Sequence, residues 1–107
     1  MSYSIIPTQR FKKEAKQLLK KYHSLKAELI ALENVLKHNP QTGKQLGNQT
    51  YKIRLSIKSK TKGKRGGARI ITYLINENKE VYLLTIYDKS EFDSIDTKTL
   101  KEIIASL

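Results

Sequence analysis

At 107 residues and 12.3 kDa the chain has the length of one domain, residues 1–107, with no room for a second core. It has no cysteine, which excludes disulfides, thiolate metal sites and thiol nucleophiles, and its two histidines, His23 and His38, are too few for a dedicated zinc site. The formal charge of +11 is concentrated, because Asn34 to Asn76 holds ten basic residues and no acidic one. Such a block points to a polyanionic partner, nucleic acid or acidic protein. No apolar run approaches the roughly 20 residues of a membrane helix. The start MSYSIIPTQRFKK lacks the signal-peptide pattern, so a cytoplasmic protein is expected.

Tyr3 to Ile6 alternate weakly and stop at Pro7, as in a short strand at a sheet edge. Thr8 suits the N-cap of a helix in which Phe11, Ala15, Leu18 and Tyr22 recur at helical spacing, with Lys12, Lys13, Lys16 and Lys20 on the other sides. Ser24 suits the cap of a second helix, where Leu25, Leu29, Leu32 and Leu36 repeat that spacing until Asn39-Pro40 and Gly43 end it. The two form a helical hairpin. Gln41 to Thr50 reads as polar loop.

Tyr51 to Lys58 alternates without error: Tyr51, Ile53, Leu55 and Ile57 face one way, Lys52, Arg54, Ser56 and Lys58 the other. Ser59 to Gly67 is a basic, glycine-rich turn. Ala68 to Ile75 and Val81 to Tyr87 are β-branched and aromatic runs that read as central strands around the turn Asn76 to Lys79. Asp96 or Thr97 caps a last helix with Leu100, Ile103, Ile104 and Leu107 on one stripe. The predicted order is β-α-α-β-β-β-α, an α+β fold whose antiparallel sheet packs on the N-terminal helical hairpin and a C-terminal helix.

Alternation places Lys52 and Arg54 about 7 Å apart on the face away from the helical hairpin. Arg69 opens the next strand and Lys89 follows the one after, so four cations from three strands can converge. Each like-charge pair at that distance costs a few tenths to ~2 kcal/mol, and a phosphodiester would offset it. The competing reading is a solvated sheet face that also guards an edge against aggregation. Lys60, Lys62, Lys64 and Arg65 form either a solvated turn or, with Gly63, Gly66 and Gly67, a loop open to phosphate. Asp88, Glu91, Asp93 and Asp96 lack metal-loop spacing. Asp93 and Asp96 suit a helix N-terminus, and Glu91, beside Lys89, is a candidate for proton transfer. Tyr73 and Tyr87 serve either packing or base stacking.

The helical hairpin, YKIRLSI, KGKRGGARIITYLI and YLLTIYDKSE together resemble the RelE/ParE superfamily of toxins from type II toxin–antitoxin modules, nearest in pattern to the HigB-type, RelE-like branch. The resemblance spans essentially the whole chain and is most specific from Tyr51 to Glu91. It implies a RelE-like fold and an mRNA interferase that inhibits translation. In that activity the ribose 2′-OH of mRNA in the ribosomal A site attacks the adjacent phosphate, leaving a 2′,3′-cyclic phosphate and a 5′-OH without metal or cofactor.

By position, Lys52 and Arg54 match the paired basic residues of the active-site strand, Arg69 the arginine opening the following strand, and Lys89 the basic residue after the last strand. The resemblance implies Lys52 as proton acceptor, Arg54 and Arg69 as stabilisers of the phosphorane, and Lys89 at the leaving oxygen. Lys58, Lys60, Lys62, Lys64, Arg65, Tyr73 and Tyr87 are then expected to contact RNA or ribosome. The implied partners are a cognate antitoxin protein and the 70S ribosome with mRNA, with operator DNA reached only through the antitoxin complex and no membrane. The chain departs from the pattern at Ile95, where RelE proteins carry a base-stacking tyrosine; Tyr73, Tyr87 and Phe92 are the candidates to replace it. Two alternatives stand beside this reading: a ParE-like toxin that inhibits gyrase by binding, and a basic nucleic-acid-binding module.

Overall fold

The computed structural model describes residues 2–59, 67–89 and 94–107. In chain order the elements are β1 (Ser4–Pro7), α1 (Gln9–Lys21), α2 (Leu25–His38), β2 (Lys44–Gly47), β3 (Thr50–Leu55), β4 (Ala68–Ile75), β5 (Glu80–Asp88) and α3 (Thr97–Ala105). They build one five-stranded sheet in the order β1-β5-β4-β3-β2. The expected order holds with one strand added. The sheet is mixed rather than wholly antiparallel, because β1 runs parallel to β5 while the remaining pairs are antiparallel. The return through α1 and α2 is long enough to carry the chain back across and around the sheet.

The added strand corrects the loop expected over Gln41 to Thr50. All four residues of β2 are exposed, so no apolar alternation marks them. What holds them is backbone pairing to β3 through a tight turn in which Asn48 and Gln49 both take positive φ, at 51° and 64°.

α1 and α2 cover one sheet face. Phe11, Ala15, Leu18, Leu25, Leu32 and Leu36 pack there against Tyr51, Ile53, Ile70, Leu74, Val81 and Ile86. α3 covers part of the other face, with Ile103 against Ile71, Leu84 and Tyr87. A register shift makes the second face possible: β4 and β5 pair Ile71 with Thr85 but Thr72 with Leu83, so Leu84 is an extra residue on β5.

Helix starts tie these layers together. The Thr8 hydroxyl accepts the Phe11 N–H at 3.1 Å and donates to the Leu83 carbonyl at 2.9 Å, fixing the first turn of α1 on β5. Thr8→Ala is therefore expected to destabilise the fold by about 1 kcal/mol in urea unfolding; an unchanged midpoint would contradict the cap. Ser24 stands at the start of α2 but makes no side-chain cap there, contrary to expectation. Its hydroxyl instead donates to Ser59 Oγ at 2.8 Å and accepts the Ser59 N–H at 2.9 Å, anchoring the chain that leaves β3.

Asp96 caps α3, accepting the Thr99 N–H at 2.9 Å, and hydrogen bonding from the Thr99 side chain first, and from this N–H second, holds its carboxyl below the usual carboxylate range. The cap therefore contributes fully above the ordinary aspartate pKa and is lost as pH falls through the lowered value. On acidification to about pH 2, the Thr99 amide should lose hydrogen-exchange protection with Asp96 protonation; a Thr99 amide indifferent to that titration would contradict it. Among the described residues, no helix is long and apolar enough to cross a membrane.

Candidate functional site

The alternation of β3 sends Tyr51 and Ile53 into the core beneath the helical hairpin, and Lys52 and Arg54 to the opposite face. Strand register decides what they meet there. Arg54 stands directly opposite Arg69 of β4, and Arg69 in turn stands opposite Tyr87 of β5. On the other side Lys52 stands directly opposite Lys44 of β2. Opposed residues on one face have Cβ atoms only about 5 Å apart, and like charges so placed destabilise a sheet. Two such pairs lie side by side.

Lys89 joins them from the end of β5. Its N–H donates to the Gly67 carbonyl at 3.1 Å, which holds it beside the first residue of β4. Gly67 takes φ of 53°, and a Cβ there would collide with the Leu55 carbonyl. Gly43 enters β2 at φ of 105°, where a Cβ would stand 2.5 Å from the Lys52 carbonyl oxygen. The close approach of backbone at both glycines brings the cation-bearing strands together.

Gly43, Lys44, Lys52, Arg54, Arg69 and Lys89 line a concavity of about 460 Å³. Among the described residues, every ionisable side chain lining it is a lysine or an arginine. A larger concavity of about 840 Å³ between β1, α1 and α3 is lined by both signs, including Arg10, Glu14 and Glu102. It lacks this one-signed convergence and belongs to no set of reactive groups.

Arg69 is only 4% exposed, and its Nη1 donates to the Ala68 carbonyl at 3.1 Å, so its guanidinium is directed rather than free to swing. Arg54 is exposed and Lys52 half-buried. Burial pushes the Tyr87 phenol up, while the Arg69 guanidinium pulls the other way. Tyr87, expected among the RNA contacts, is 8% exposed and packs with Ile71, Leu84 and Ile103. That packing withdraws its ring from stacking, because α3 lies on the same sheet face as the cations. Tyr73 is half-buried against the same cluster, as is Ile95.

Lys58 is exposed and its N–H donates to Glu28 at 2.8 Å, outside the lining of the cationic concavity. Lys60, Lys62, Lys64, Arg65, Glu91 and Phe92 lie outside the described residues. Asp88 accepts the Tyr22 hydroxyl at 2.8 Å and Asp96 caps α3, so each has a structural role. Lys44 was not anticipated. Its place in the acid-free block was visible, but without β2 nothing put it opposite Lys52.

The arrangement of helices and strands recurs in a solved structure. The E. coli toxin RelE, as an arginine-to-alanine double mutant in the free state, is similar at a TM-score of 0.63, with 16% identity over 100% of this chain and 99% of that one. The chain has the RelE fold. The same toxin mutant in complex with an antitoxin RelBc peptide is similar at a TM-score of 0.50, with 17% identity over 95% of this chain and 94% of that one. No protein-family model matches the chain. At this identity the likeness to RelE establishes the fold, not a branch such as the HigB type.

Proposed function

We propose that this protein is the toxin of a type II toxin–antitoxin module, an endoribonuclease that cuts mRNA on the ribosome and is neutralised by a cognate antitoxin. The observation that carries this reading is the pair of opposed like-charge contacts, Lys44 with Lys52 and Arg54 with Arg69, facing one concavity that Lys89 also lines. A solvated sheet face has no need for such pairs, which cost stability. An anionic phosphodiester removes the cost when bound, and removes more of it as charge builds in the phosphorane.

The chemistry follows from the side-chain types. Lys52, acting from its neutral amine form, accepts the proton of the ribose 2′-OH as its oxygen attacks phosphorus. Arg54 and Arg69 hold the non-bridging oxygens, Arg69 as a directed fork and Arg54 from the strand opposite. The P–O5′ bond breaks, Lys89 delivers a proton to the departing 5′-oxygen, and the products are a 2′,3′-cyclic phosphate and a 5′-OH. Lys44 adds charge beside Lys52. These cations stabilise charge but do not align a nucleophile in line with its leaving group. That alignment falls to the ribosome holding the message, and is worth several kcal/mol.

Lys44→Ala is expected to slow cleavage about tenfold with no loss of thermal stability, since it removes one charge and also one repulsion. Cleavage at the wild-type rate would remove Lys44 from the site. The proposal itself is tested by adding the protein to a translating extract and mapping the 5′ ends of the message. New ends that require ribosomes are expected. Growth arrest in cells together with intact message in the extract would overturn it, and inhibition of supercoiling instead would favour the gyrase alternative.

A further inference from the structure

A second basic surface lies on the far side of the sheet. Lys12, Lys13, Lys16 and Lys20 are all exposed, and at helical spacing they fall within a sector of about 100° on α1. That sector is opposite the buried stripe of Phe11, Ala15 and Leu18. No acid lies in it. Glu14, off the stripe, pairs with Arg10 at 3.3 Å and accepts the Thr85 hydroxyl at 2.6 Å.

The helix gains little from this pattern beyond Lys20, which with Lys21 lies in the last turn and suits the helix dipole. Lys12, Lys16 and Lys20 are successive i, i+4 like-charge neighbours, which destabilise a helix, and the first turn carries Arg10 and Lys12 with no acidic residue against the helix dipole. With most of the stripe unfavourable to the helix itself, the pattern points to an external anion.

Three kinds of polyanion compete. An anionic membrane surface fits less well, because a membrane-lying helix inserts its apolar stripe, and here that stripe is in the core. An acidic protein fits less well: interface cores are depleted in lysine and built on aromatic, methionine and arginine anchors, whereas the stripe includes Gln9 and is flanked by Gln17 on one side and the partly exposed Leu19 on the other. A phosphate backbone fits well, because lysines four apart rise about 6 Å along the helix and need only a dense line of negative charge.

We infer that the α1 lysine stripe is a second RNA contact, which docks the protein on the phosphate backbone of structured RNA while the sheet cluster acts on a separate strand. The two surfaces lie on opposite sides of a molecule only 23 Å across in its shortest dimension, a shape suited to a cleft between RNA segments. The inference rests on the proposed cleavage only for what the other strand is; the binding of α1 stands apart from it.

The test uses the full-length protein and a 20-base-pair RNA duplex as probe. The variant Lys12→Gln/Lys16→Gln/Lys20→Gln should bind it about tenfold more weakly near 0.1 M salt, and lower the slope of log affinity against log salt by about 2 to 3. Its melting temperature should stay level or rise. Lys52→Ala/Arg54→Ala should keep most duplex binding while losing message cleavage, so a failure of the nuclease reading shows in the extract and not here. If the triple variant melts early, Lys16→Gln alone should change the slope by about 1. Unchanged affinity and slope in a folded stripe variant would overturn the inference. So would polyglutamate bound as tightly as the duplex, which would assign the stripe to an acidic protein.

Discussion

Arg69→Ala is expected to lower ribosome-dependent message cleavage by about 100- to 1000-fold, the scale of removing one directed donor from a site of developing negative charge. Arg69 has the properties this effect needs: it is buried, its guanidinium is oriented by the Ala68 carbonyl, and it stands opposite Arg54 across the strand pair. Arg69→Lys keeps the charge but loses the planar fork, so most of the loss should remain. Burial means that Arg69→Ala also alters packing, and Arg54 supplies the control. Arg54 is exposed, so Arg54→Ala should reduce cleavage on a similar scale while the melting temperature stays level or rises, because one of two opposed like charges is gone. Wild-type cleavage by a folded Arg54→Ala protein would contradict the assignment of this pair. A melting temperature lowered by Arg54→Ala would contradict the claim that the pair costs stability.

Gly67→Ala is expected to damage fold and site together. The residue combines φ of 53° with a Cβ position blocked by the Leu55 carbonyl and lying 3.0 Å from the Ile57 nitrogen. A left-handed conformation costs alanine about 1 kcal/mol, and separating the start of β4 from β3 adds to it, so a loss of about 2–4 kcal/mol is expected. In a protein of this size that is a fall of roughly 10–25 °C in melting temperature. The Gly67 carbonyl also receives the Lys89 N–H, so the fraction that folds should still cut slowly. A variant with wild-type melting temperature and cleavage would show that this approach of backbones is dispensable.

Much of this molecule was legible because its helices and central strands carry one-sided patterns. The alternation of Tyr51 to Leu55 gave the face of Lys52 and Arg54 directly, and the spacing from Phe11 to Tyr22 gave the buried stripe of α1. β2 was illegible for the opposite reason: Lys44 to Gly47 bury no side chain, and their strand is made by backbone pairing alone. Lys44 was hidden with it. The direct opposition of Arg54 and Arg69 depends on register across the long connection between β3 and β4, which spacing within either strand does not specify. Tyr87 shows a further limit. Alternation assigns a residue to a face, but not what covers it, and α3 turns the part of the cationic face bearing Tyr87 into core.

Chemical analysis of the cut ends tests the central claim most directly. Message recovered from the translating extract should end in a 2′,3′-cyclic phosphate upstream of each cut and a 5′-OH downstream, with neither formed by folded Arg54→Ala protein. Fragments bearing a 3′-OH and a 5′-phosphate would mean that a water or hydroxide, not the ribose oxygen, attacks phosphorus, and would contradict the chemistry assigned to these lysines and arginines.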